Sequence, residues 1–140
     1  MALGIFGIAT TEFGVIGILP ILAETFKVSI EKAGWLLSAF AIIVALFAPF
    51  MMILLSSFNR KKLLIITLFL FALSNILSIV TTNFNFLLIA RMLPAFFHPV
   101  HWSIALSASA LLVDEKDASK AASIIFGGFS IASILGVPLA

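Results

Sequence analysis

Cysteine is absent from this chain, which excludes disulfide frameworks and thiolate metal sites. Charge is nearly as scarce. Only 10% of residues are Asp, Glu, Lys or Arg, where a soluble domain carries roughly a quarter. Too little polar material remains to coat a globule of this size against water. The net charge of +2 is small and scattered, which argues against nucleic acid as a partner. His98 and His101 lack the carboxylate or thiolate companions of a metal site, so neither a metal nor a metalloenzyme is expected. Nor is a cleavable signal peptide expected: the first apolar run follows Met1 without a basic lead and is too long for one.

What the chain has instead is grease. Of its 140 residues 63% are hydrophobic, and the mean hydropathy is +1.29. Crossing the hydrocarbon takes about 20 helical residues at roughly 1.5 Å each. Runs of that order cover 1–23, 33–55, 63–81, 86–113 and 121–140. Between them lie the stretch from Glu24 to Lys32, the basic turn around Arg60-Lys61-Lys62, the turn Thr82-Asn83-Phe84-Asn85, and the loop from Asp114 to Lys120. The runs lack period-2 alternation, and backbone in lipid must satisfy its own hydrogen bonds, so helix is expected over strand. The reading is an all-α membrane protein: one transmembrane region over 1–140, with four complete helices and most of a fifth.

Short loops make neighbouring helices antiparallel. A cytoplasmic N-terminus puts Arg60, Lys61, Lys62, Lys116 and Lys120 inside and only Lys27 and Lys32 outside, the arrangement that the positive-inside bias favours. The last run closes on Gly136-Val137-Pro138-Leu139-Ala140 with no polar exit, and Met1 starts almost within the first run. A chain cut at its end, with a short basic leader missing at its start, is the expectation.

Charges inside the bilayer cost a few kcal/mol or more, so those that occur point to function. Counting from the outer ends of their helices, Glu12 lies roughly 16 Å deep, Arg91 roughly 9 Å and His98 roughly 19 Å. Glu12 and His98 thus share a depth, and Arg91 could reach towards Glu12 from above. Glu12 reads as a proton-titratable or cation-recognising carboxylate tuned by Arg91 and His98. The alternative is a Glu12 protonated or paired for structure, with Arg91 extended to headgroups. His101 and Trp102 read as packing or interfacial residues. Pro20, Pro49, Pro94, Pro99 and Pro138 all lie in or at the end of apolar runs, where each removes a backbone donor and tends to kink its helix. Glycines in the first and fifth runs permit close helix approach.

These residues resemble the major facilitator superfamily, and within it the drug:proton antiporter branch of arabinose-efflux-permease-like and chloramphenicol-resistance-like proteins. Thr11-Glu12-Phe13, Gly17-Ile18-Leu19-Pro20 and Ala33-Gly34-Trp35 look like that branch's first-helix signature and the entry to its second helix. Leu87-x-x-x-Arg91 resembles the fourth-helix motif whose arginine is linked to proton coupling, and His98 falls where this subgroup often has a histidine. Gly128, Gly136 and Pro138 resemble the antiporter motif of the fifth helix. In the loop before the third helix only Arg60 and Lys61 fit the family pattern; Met52, Ser56, Ser57 and Asn59 replace its Gly, Asp, Arg and second Gly. Pro94 and Ala95 replace the fourth-helix motif's Gln and Gly, and Ala140 replaces a later glycine of the antiporter motif.

The resemblance implies the N-terminal part of a twelve-helix transporter that exports a small molecule of drug, sugar or nucleoside class by alternating access. Its energy source would be the proton gradient, with no cofactor. It would sit in a bacterial inner membrane and need further C-terminal helices for transport. Glu12, Arg91 and His98 would serve coupling or substrate contact. A truncated, transport-inactive membrane protein is the alternative. An intramembrane enzyme would need a nucleophile with its base, or a metal cluster, at matched depth, and the sequence offers no such set.

Overall fold

The computed structural model describes residues 1–139, leaving Ala140 and its place in the antiporter motif outside the described residues. Six α-helices follow one another: α1 (Ala2–Thr25), α2 (Ile30–Leu54), α3 (Arg60–Val80), α4 (Phe84–Ala95), α5 (His98–Leu111) and α6 (Ala118–Leu139), with a short 3₁₀ turn at Glu115–Asp117 before the last. No strand occurs among the described residues. Four of the helices are long and apolar enough to cross a membrane: α1, α2, α3 and the last, counted with its preceding turn.

Helices α2 and α3 each begin three residues earlier than the apolar runs do, and α4 begins two earlier. The reason is capping. A first turn needs acceptors for its free N–H groups, and polar side chains outside the greasy stretch supply them. Ser29 Oγ accepts from the Lys32 amide at 3.1 Å. Asn59 Oδ1 accepts from the Lys62 amide at 3.2 Å, and Asn83 Oδ1 from the amides of Asn85 and Phe86. The reversal after α1 turns on Lys27, whose φ of 52° is left-handed.

One expected helix is two. The run over 86–113 divides into α4 and α5 at Phe96 and Phe97, between Pro94 and Pro99. Each proline lacks the N–H that an unbroken helix requires. The backbone stays right-handed through the joint (Phe96 φ −61°, ψ −33°), with Phe97 N–H bonded to the Pro94 carbonyl at 3.1 Å. Pro94 strips the Ala90 carbonyl of its helical donor, and Ser74 Oγ of α3 donates to that oxygen at 2.8 Å. Lipid offers no substitute donor, so the neighbouring helix provides one.

α1 is the central helix, with its most extensive interface against α6 and further contacts to α2, α3 and α5. A Cβ on Gly128 would lie 2.9 Å from the Ala2 carbonyl, and one on Gly136 would lie 2.9 Å from Phe13 Cβ. These pairings advance together along both chains, so α6 runs parallel to α1 at backbone contact. Much of the interior is small: Ala9, Ala33, Ala95, Ala105 and Ala132 are buried. Small residues let helices approach where no hydrophobic force drives them together. The outside is correspondingly apolar, with Leu3 86%, Ile79 83% and Ile53 76% exposed. Such a surface fits hydrocarbon and not water.

Candidate functional site

Glu12 stands midway along α1, and His98 is the first residue of α5, set immediately after the proline-bounded joint. Nε2 of His98 lies 2.8 Å from Oε1 of Glu12, and both side chains are largely covered, at 15% and 21% exposure. Trp102, one turn along α5, directs its indole N–H at the same Nε2 from 3.1 Å. Nδ1 of His98 is buried with no partner. One ring nitrogen therefore faces both an acid and a donor. The Glu12 contact becomes a hydrogen bond only when a proton lies between its oxygen and Nε2, and Oε1 has no other partner.

The walls around this pair are aromatic. Phe40 of α2 meets the imidazole edge-on at 5.5 Å between centroids, with Phe71 of α3 at 6.3 Å. Trp102 packs on Phe129 of α6 at 5.2 Å, and Phe129 on Phe13 at 5.5 Å. Two grooves reach the pair. One of about 330 Å³ runs along Phe13, Ile16, Phe40 and Val44; the other, of about 570 Å³, runs past Phe13, Trp102, Phe126 and Phe129. Glu12 and His98 supply the ionisable groups of both. Charge chemistry here is confined to two side chains in an apolar cleft.

Arg91 lies elsewhere. Its Nη2 donates to the main-chain carbonyl of Thr11 at 3.0 Å, and among the described residues it makes no ion pair with Glu12. The expected reach toward Glu12 ends on the peptide just before it. Asn75 of α3 donates to Thr11 Oγ1 at 3.1 Å, and Thr11 in turn donates to the Gly7 carbonyl. A third groove, about 350 Å³, is lined here by Thr11, Asn75, Ser78 and Arg91. Successive residues on α1 thus serve two separate polar sites, Thr11 facing α3 and α4 and Glu12 facing α2 and α5.

His101 is 2% exposed and bonded through Nδ1 to Thr67 Oγ1 of α3, itself fully buried. That is a packing role, as expected. Trp102 is more than packing, since its polar edge is spent on His98. Asn75, and the polar role of Trp102, were not expected from the sequence. Asn75 had a signal, being a carboxamide in an otherwise apolar run, while Trp102 had its spacing of four from His98. Arg60 opens α3 on an exposed turn, with Lys61 exposed beside it. Neither pairs with an acid among the described residues. The surface pair Lys116–Asp114, 3.7 Å apart and over three-quarters exposed, contributes little.

Comparison with known proteins agrees over the full length. The chain is 37% identical over 140 residues to the inner membrane transport protein YdhP of Escherichia coli K12, covering all of this chain and 36% of that protein. It is 36% identical over 138 residues to the uncharacterized MFS-type transporter YtbD of Bacillus subtilis 168, covering 99% of this chain and 35% of that one. It therefore spans little more than a third of the length of these relatives. The model of the Major Facilitator Superfamily matches residues 1–140, and with the apolar helices, the parallel α1–α6 contact and the buried charges described above, the chain belongs to the major facilitator superfamily.

Proposed function

We propose that this chain is the N-terminal part of a proton-coupled exporter of the drug:proton antiporter branch, sited in a bacterial inner membrane with its N-terminus in the cytoplasm. The single observation that carries the reading is the 2.8 Å approach of Glu12 to His98 within an aromatic-walled apolar cleft. An acid and an imidazole in contact can share, take up or release a proton, and the surrounding apolar walls make their charge state matter. Rocking of two helical halves would expose the pair first to one side and then to the other, so that inward proton flow drives outward transport. Phe13, Phe40 and Phe129 offer flat apolar faces, which suit a small molecule of drug, sugar or nucleoside class. Arg91, held on the Thr11 carbonyl, would steady the turn of α1 that carries Glu12.

The test is Glu12→Gln in the full-length gene product, reconstituted in lipid vesicles under an imposed pH gradient. Gradient-driven transport is expected to disappear while insertion and abundance stay at the wild-type level. Undiminished transport by that variant would remove Glu12 from the mechanism.

A further inference from the structure

Two polar groups converge on one nitrogen of the His98 ring, and their arithmetic does not close. Nε2 has room for one partner in its plane: a lone pair that accepts, or an N–H that donates. Two groups claim that room, Trp102 Nε1 at 3.1 Å and Glu12 Oε1 at 2.8 Å. An indole nitrogen can only donate, so its bond exists only when Nε2 carries no hydrogen. A Glu12 carboxylate can only accept, so its bond exists only when Nε2 carries one. The two bonds exclude each other.

We propose that Trp102 is a positioning residue that holds His98 in the form with Nε2 bare, and that a proton arriving on Nε2 trades the indole for Glu12. In the bare form the ring keeps its one hydrogen on Nδ1. A proton from water then binds the Nε2 lone pair, giving an imidazolium whose new N–H points to the Glu12 carboxylate. No other covalent bond changes. Trp102 keeps its own N–H but loses its acceptor, and its ring is released from His98.

That release has somewhere to go. Trp102 rests on Phe129 at 5.2 Å and on Phe126 at 6.0 Å, both on α6. α6 is also the helix that touches α1 at backbone distance through Gly128 and Gly136. A change at one nitrogen on α5 is thus handed to the α1–α6 pair by direct ring contact. Other groups that could answer the same pH change are few among the described residues. α1 contributes Glu12 itself, α4 contributes Arg91 on the Thr11 carbonyl, and α5 contributes His101, buried on Thr67 of α3. The sides facing His98 from α2 and α6 present phenyl and indole-packed faces, with Phe40 on the first.

The switch rests on the proposed role of the Glu12–His98 pair, but its test does not need transport. Tryptophan emission of the full-length gene product in detergent micelles should show a step with pH, because an imidazolium beside indole quenches it and the lost hydrogen bond alters its spectrum. The step should be lost in Trp102→Phe, which keeps an aromatic ring in place, and lost again in His98→Gln, which keeps Trp35 and Trp102. Trp35→Phe should retain it. A flat wild-type emission, or a step that persists in His98→Gln, would overturn the proposal. A step without gradient-driven transport would instead sink the transport reading and leave the switch standing.

Discussion

Ser74 Oγ donates a 2.8 Å hydrogen bond to the carbonyl of Ala90, the oxygen that Pro94 deprives of its helical donor. Both ends are buried between α3 and α4. Ser74→Ala is expected to destabilise the bundle by about 1 kcal/mol. That figure follows membrane-protein double-mutant cycles and not the larger penalty for a bare carbonyl in hydrocarbon, because a chain unfolded within the membrane finds other partners. Unfolding in mixed micelles with increasing denaturing detergent would measure it, and an unchanged midpoint would show that the carbonyl finds another donor.

Glycine at 136 reflects contact and not flexibility. A methyl group there would sit 2.9 Å from Phe13 Cβ and 3.4 Å from the Gly14 amide, both on the same turn of α1 as Glu12. Gly136→Val should force α1 and α6 apart, lowering the yield of folded protein several-fold by the same cost as overpacking, about 1–3 kcal/mol. Gly127, with nothing within 4 Å of an added Cβ, is the internal control. Gly127→Ala should accumulate at the wild-type level, as judged by fluorescence-detected size exclusion. Equal yields for the two variants would refute the packing account.

Arg91 holds the Thr11 carbonyl by a charged donor, a bond of about 1.5–3 kcal/mol when it is lost. Arg91→Ala is expected to reduce gradient-driven transport by at least about tenfold, the rate equivalent of the lower figure. Arg91→Lys should fall between, because a lysine ammonium keeps the charge but has a shorter reach and lacks the planar, directed N–H groups. Asn75→Ala, which removes the neighbouring bond to Thr11 Oγ1, should act in the same direction and more weakly. Wild-type rates in Arg91→Ala would show that the grip on Thr11 is structural ornament.

Orientation can be read with thiols, since this sequence contains no cysteine of its own. Single Lys61→Cys and Lys27→Cys variants should label from opposite faces of intact cells. A membrane-impermeant maleimide added outside is expected to reach the second and not the first. Labelling of Lys61→Cys from outside would reverse the assignment of the N-terminus to the cytoplasm.

The sequence alone was enough for the lipid-facing character of the chain, because that character is a sum over residues. A long apolar run satisfies its backbone as a helix wherever water is excluded, and α1, α2 and α3 are such runs. It was enough also for the rarity of Glu12, Arg91 and His98, and for the equal depth of the first and last, since helical rise converts residue count directly into distance. It could not divide the run over 86–113, because prolines bend or break helices according to what neighbouring helices offer their orphaned carbonyls. Here Ser74, sixteen residues before Ala90, makes that offer. Nor could it tell which face of α1 each polar residue presents to which neighbour. Arg91 settles on Thr11 and Trp102 on His98 through the rotation of packed helices about their axes, and that rotation is fixed by contacts between distant segments, above all the backbone approach at Gly128 and Gly136.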